Sequence, residues 1–125
     1  MDFYQVILVI EDDQAVRDSL KLLLDGEGYT VKTYASARSF LDAFEQTENG
    51  CILVDVQMPE MNGLDLLATL NERGVFMPVI VMSGFPDAEI QITAMQRGAV
   101  DFFEKPFDPE ILLAAIRTAL TRSHG

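Results

Sequence analysis

Three stretches of this 125-residue chain, "VILVI", "CILVDV" and "PVIVM", are apolar with little or none of the alternation that marks a strand with one wet face. Strands of that kind are buried on both sides, so the fold must supply a covering layer above and below them. The segments between them can do so. Val16, Leu20, Leu23 and Leu24 recur at helical spacing, and Phe40, Leu41 and Phe44 do the same after Ser36, a suitable N-cap. Leu66, Leu67 and Leu70 follow Asn62 and Gly63. A fourth helix is expected from about Pro86 to Arg97, closed by Gly98 as the C′ residue. The fifth opens at "DPE", with Asp108 as N-cap and Pro109 in the first turn, and presents Ile111, Leu112, Ala115, Ile116 and Ala119 as its apolar face. With "TVKTY" and "VDFF" as further strands the order is βαβαβαβαβα: an α/β, doubly wound parallel sheet.

The length suits one domain with a proper core, and apolar residues make up 49% of the chain, too many for disorder. No run approaches the roughly 18 apolar residues of a membrane span; "VFMPVIVM" is short and broken by Pro78, and Asp2 stands where a signal peptide would carry basic residues. A single cysteine, Cys51, among apolar neighbours reads as a buried, inert thiol in a reducing cytoplasm. Nine basic against twenty acidic residues give a net charge of −11. Such a surface repels nucleic acid and anionic membranes, so neither is an expected direct partner. Acidity also suits a site for a small hard cation, although many soluble domains are simply acidic.

In doubly wound sheets, ligands bind beyond the carboxyl ends of the strands, where the strand order reverses. The residues that close these strands form a chemically coherent set. The first strand runs into Glu11, Asp12 and Asp13, the third holds Asp55, the fourth reaches Ser83 and the fifth Lys105. Adjacent carboxylates repel, and a divalent cation would relieve that repulsion; Mg²⁺ favours an oxygen-rich rim and keeps positions open for water and phosphate. Without a cation, one acid should have a raised pKa or turn to solvent. A carboxylate beside such an ion can attack phosphorus, as in aspartyl-phosphate chemistry. The transfer then needs mainly positioning and neutralisation of charge, which Lys105 and the Ser83 hydroxyl would supply. Asp55, alone between Val54 and Val56, is the better nucleophile; the acids of the first strand are better metal ligands.

Taken in order and spacing, "VIEDDQAVR", "LVDVQMPEMNGLDLL", "VIVMSG" and "GAVDFFEKPFDPE" resemble the receiver domains of response regulators over about residues 4–121, most closely those joined to helix-turn-helix transcription factors of the FixJ type. The resemblance implies a CheY-like, flavodoxin-like (βα)5 fold with strand order 2-1-3-4-5. It casts Asp55 as phosphoacceptor for a sensor histidine kinase and Asp12 as a direct ligand of Mg²⁺ (or Mn²⁺). Glu11 would act mostly through water, and the backbone carbonyl of Gln57 would complete the protein ligands. Lys105, before a cis bond to Pro106, would pair with the phosphoryl group or, in its absence, with Asp55. Ser83 and Phe102 would be the switch pair, carrying the charge change to the face built from the fourth helix, fifth strand and fifth helix, and promoting homodimerisation there. Gln57 and Phe85, flanking the path of attacking water, would set the phosphorylated lifetime.

Two departures accompany the likeness. Glu11 stands where many receivers carry aspartate, which leaves open a slipped register with Asp12 and Asp13 as the pair; the offset of "AVR" favours Glu11 and Asp12, with Asp13 capping the first helix. Phe85 is bulkier than the residue many receivers place there. Phe102 and Phe103 alternate, so one must face the core, while His124 belongs to a frayed end. The chain stops soon after the fifth helix, implying a stand-alone receiver or a piece of a longer regulator whose DNA-binding output domain lies elsewhere. Beyond self-catalysed phosphoryl acceptance and slow autodephosphorylation, no enzyme activity is expected. The competing readings are a constitutive protein-binding receiver, an Mg²⁺-dependent phosphatase, and a flavodoxin-like cofactor module. The intact acids oppose the first, and nothing near Asp55 supplies the second general acid that the phosphatase needs. The third lacks a phosphate-cradling loop after the first strand.

Overall fold

The chain alternates strand and helix five times: β1 (Gln5–Ile10), α1 (Gln14–Gly26), β2 (Thr30–Tyr34), α2 (Ala37–Ala43), β3 (Asn49–Asp55), α3 (Gly63–Glu72), β4 (Val79–Ser83), α4 (Ala88–Gln96), β5 (Asp101–Glu104) and α5 (Pro109–Ser123). The computed structural model describes residues 5–45, 49–85 and 87–123; Asp2, Tyr4, Pro86 and His124 lie outside them. All pairings are parallel and the strand order is β2-β1-β3-β4-β5, the CheY-like flavodoxin-like arrangement. The chain order reverses direction between β1 and β3, which places the crevice for a ligand at their carboxyl ends.

The unbroken apolar runs are explained by two separate cores. Leu8, Ile10, Ile52, Val54 and Val81 pack on one side with Phe40 of α2, Leu66, Leu67 and Leu70 of α3, and Ala94 of α4. Ile7, Val9, Cys51, Leu53, Ile80 and Met82 point the other way, against Leu20 and Leu24 of α1 and Leu112, Ile116 and Ala119 of α5. Each large side chain fully buried in these layers contributes about 1.5–3 kcal/mol. Burial pushes the Cys51 thiol up to about 12, so it is an inert core residue.

The helix starts follow the sequence. Asp13, Ser36 and Asn62 accept from the backbone N–H groups of Val16, Ser39 and Asp65, and Asp108 accepts from Glu110 N–H ahead of Pro109. Gly98 holds φ at +99° after α4, the left-handed geometry that closes a helix. Two expectations need correction. Ile111 is 58% exposed rather than part of the apolar face of α5: Leu112 and Leu113 turn into the core and the buried face runs on through Ile116, Ala119 and Leu120, which leaves Ile111 turned away from it. Phe102 and Phe103 do not divide into one core and one surface residue. Both are half-buried, Phe102 against the layer of α2, α3 and α4 and Phe103 against that of α1 and α5, because helices cover both faces of the sheet.

Candidate functional site

Strand register assembles the site. Ile10 is level with Val54, Asp55 with Met82, and Ser83 with Glu104, so the residues that follow these pairs meet at one rim. Main-chain bonds hold the strand ends together: Val56 N–H donates to the Met82 carbonyl at 2.8 Å and Lys105 N–H to the Ser83 carbonyl at 2.8 Å. Gly63 brings α3 against β3, its N–H donating to the Val56 carbonyl at 3.1 Å. A Cβ there would stand 2.5 Å from the carbonyl oxygen of Asp55, so only glycine permits this approach.

Glu11 and Asp55 are buried, whereas Asp12 is exposed. Carboxylate oxygens of the three lie within 4.8 Å of one another. Lys105 reaches into this cluster from the segment after β5, bonding Glu11 through its ammonium and standing 3.0 Å from Asp55 Oδ1. The Lys105–Pro106 bond is cis. One cation thus serves two buried anions. Desolvation raises the Glu11 carboxyl above its ordinary range, against the opposing pull of Lys105. Desolvation likewise raises Asp55, aided by the charge of Asp12 and opposed by Lys105. Burial alone would depress Lys105, but its bonds to Glu11 and Asp55 outweigh this and leave it raised. Of the outcomes expected for "EDD", Asp12 turns to solvent, and Glu11 holds its proton more tightly, through burial first.

The donor set fits a small hard cation. Asp55 Oδ1 is fully buried and meets the Lys105 ammonium at 3.0 Å without a well-aligned hydrogen bond. A buried carboxylate oxygen with one such ion-pair contact keeps lone-pair capacity for a further cation. Both Glu11 oxygens are engaged, one with Lys105 and the other accepting from Asp13 N–H at 3.1 Å. Asp12 and Asp55 are accordingly better placed than Glu11 to give an oxygen directly. Asp13 caps α1, which supports the register that pairs Glu11 with Asp12.

The other expected residues lie around this core. Ser83 is buried at the end of β4, Gln57 is half-buried two residues beyond Asp55, and Phe102 packs against the α4 side of the sheet. The Phe85 ring is 73% exposed, so it borders the rim without closing over it. Two contributions were not read from the sequence. Arg17, from the first turn of α1, donates to the Glu11 carbonyl at 2.7 Å and fixes the strand end that carries the acids. The Gln57 carboxamide spans to β4, donating to Ser83 Oγ at 2.8 Å and accepting from Gly84 N–H at 2.9 Å. The two-residue period of a strand, carried past Asp55, hinted at a shared face for Gln57, but nothing local named its partners.

Residues 7–117 match the family described as the response regulator receiver domain. The chain belongs to that family. Among curated relatives, the receiver is 50% identical over 115 residues to the transcriptional regulatory protein FixJ of Azorhizobium caulinodans, covering 92% of this chain and 54% of that one. It is 45% identical over 119 residues to the response regulator protein TmoT of Ectopseudomonas mendocina, covering 95% and 54%. Among solved structures, FixJ-N superposes with a TM-score of 0.86 at 38% identity, covering 97% of this receiver and 96% of that chain. The chain spans about half the length of the curated relatives it matches. It is thus a receiver of the kind found in two-component transcriptional regulators.

Proposed function

We propose that this receiver accepts a phosphoryl group on Asp55 from a sensor histidine kinase and passes the change in charge to the surface formed by α4, β5 and α5. The observation that carries the reading is the buried Asp55 carboxylate, held 3.0 Å from the Lys105 ammonium and grouped with two further acids. A carboxylate oxygen of Asp55 attacks phosphorus, and the P–N bond to the kinase histidine breaks as the P–O bond forms. The freed imidazole nitrogen keeps the electron pair. Lys105 exchanges part of its pairing with Asp55 for the phosphoryl oxygens, and the Ser83 hydroxyl donates to one of them. Asp12 and Asp55, with the Gln57 carbonyl and Glu11 through water, would hold Mg²⁺ or Mn²⁺; bound there, the ion neutralises charge on the transferring group. Gln57 and Phe85 border the acceptor and set how long the acyl phosphate survives.

Three exposed apolar side chains support the output surface: Ile92 and Met95 on α4, and Ile111 on α5. Phe102 packs in the layer that holds Ala94 of α4, level with Val81 two residues before Ser83, and links the acceptor to that surface. A homodimer through this surface and control of a C-terminal DNA-binding domain complete the proposal, in keeping with relatives about twice the length of the matched segment. The domain itself spans residues 1–125, with a core of about 4–121, and acts in the cytoplasm.

Intact mass after incubation with acetyl phosphate and Mg²⁺ tests the reading. The expected result is a gain of one phosphoryl group, lost in Asp55→Asn and without the metal. A folded wild-type protein that gains nothing would overturn it in favour of a constitutive binding receiver.

A further inference from the structure

The hydrogen bonds around Gln57 define a function for this side chain beyond bordering the acceptor. Gly84 N–H can only donate, so the carboxamide must turn its oxygen toward Gly84, at 2.9 Å. That orientation forces Nε2 toward Ser83 Oγ, at 2.8 Å, and makes Gln57 the donor there. Ser83 Oγ accepts a second bond from Phe85 N–H at 3.2 Å. A serine hydroxyl has two acceptor positions and one proton. Both acceptor positions are filled by groups that cannot receive a proton back, and Ser83 is 0% exposed. The proton is the one valence left. The two bonds of the carboxamide join the segment just past Asp55 to the end of β4 and to the first residue beyond it.

We infer that Gln57 is a positioning residue: its carboxamide clamps Ser83 Oγ as an acceptor, so that the hydroxyl proton is reserved for a phosphoryl oxygen on Asp55. The inference rests on the reading of Asp55 as phosphoacceptor. It separates two replacements of nearly equal size. Gln57→Glu keeps an oxygen for Gly84 N–H but turns the other contact around: a carboxylate accepts the Ser83 proton and diverts it from the phosphoryl group. Gln57→Met removes both bonds and leaves the hydroxyl free to rotate.

The test is a double-mutant cycle on beryllofluoride binding in Mg²⁺, with wild type, Gln57→Glu and Gln57→Met each measured with and without Ser83→Ala. The expected result is a loss of about tenfold or more for Gln57→Glu with Ser83 present. That loss should shrink to the small effect of an added negative charge when Ser83→Ala is also present. Gln57→Met should lose about threefold, again only with Ser83 in place. Equal losses in both backgrounds, or unaltered binding by Gln57→Glu, would overturn the inference while leaving the acceptor reading intact. Amide hydrogen exchange in the ligand-free protein gives a readout independent of phosphoryl chemistry. Gly84 N–H should stay protected in Gln57→Glu and exchange about tenfold faster in Gln57→Met, and unchanged exchange in Gln57→Met would also overturn the clamp. Wild-type protein that binds no beryllofluoride would overturn the acceptor reading, and the clamp's purpose with it.

Discussion

Lys105 is the residue on which the acceptor's electrostatics turn. It is the cation paired with both Glu11 and Asp55, and it arrives from a position 94 residues after Glu11. Removing one partner of a buried pair strands the other charges, typically at about 3–5 kcal/mol. Since the Lys105 side chain is 21% exposed, Lys105→Met should cost somewhat less, about 2 kcal/mol at pH 7. The two carboxyls titrate above their ordinary values of 3.8 and 4.5, so the folded state holds their protons longer than the unfolded chain does. Stability therefore falls as pH climbs from those values through the folded pKa of each. Lys105 has linkage of the same sign: it contributes stability below its ordinary 10.5, which is lost as pH rises through its higher folded value. Two outcomes follow, both checked by thermal melts between pH 4 and 8. The deficit of Lys105→Met should narrow toward pH 4, where the carboxyls become neutral. Asp55→Asn should melt about 3 °C above wild type at pH 7, on the order of 1 kcal/mol, with the gap closing in the acid range. At this scale the sequence showed which residue types converge but not how they share charge. Glu11, Asp55 and Lys105 were visible at strand ends, whereas the Lys105–Glu11 bond and the Gln57 bridge depend on strand register and side-chain reach.

Among the elements, the approach of α3 to β3 bears most directly on the acceptor. Gly63 lies so close to the end of β3 that a methyl group would meet the Asp55 carbonyl carbon at 3.0 Å as well as its oxygen at 2.5 Å. Backbone cannot yield as a flexible side chain does, so Gly63→Ala must shift the start of α3, at about 1–3 kcal/mol. The expected outcome is a lower denaturation midpoint in urea, together with slower acquisition of the phosphoryl group because the displaced backbone belongs to the acceptor. The helices were largely legible because their signals are local. Asp13, Ser36, Asn62 and Asp108 cap as their positions indicate, and Gly98 takes the left-handed geometry. The failures came where tertiary placement decides. Ile111 fits a periodic apolar face yet projects into solvent, and the two aromatics of β5 both pack because the sheet is covered twice. Two further ties escape local reading: Arg97 donates to the Leu64 carbonyl at 2.8 Å and Asn71 to the Arg97 carbonyl at 2.6 Å, fastening α4 to α3.

For the molecule as a whole, a net charge of −11 sets how copies meet one another. Like-charged domains associate weakly until an apolar surface offsets the repulsion, and salt screens what remains. If Ile92, Met95 and Ile111 form that surface, sedimentation should show monomers without beryllofluoride and a shift toward dimer with it, stronger at 0.5 M salt than at 0.05 M. Ile92→Glu should abolish the shift while leaving phosphorylation of Asp55 unchanged, and a profile indifferent to both ligand and substitution would remove the dimer from the account. The main-chain bond from Lys105 to Ser83 bears on how such a signal moves through the fold. The bond ties the backbones of Ser83 and Lys105 into one rung of the sheet. Mechanically, the two residues are teeth of a single gear: a tug on either main chain turns β4 and β5 together.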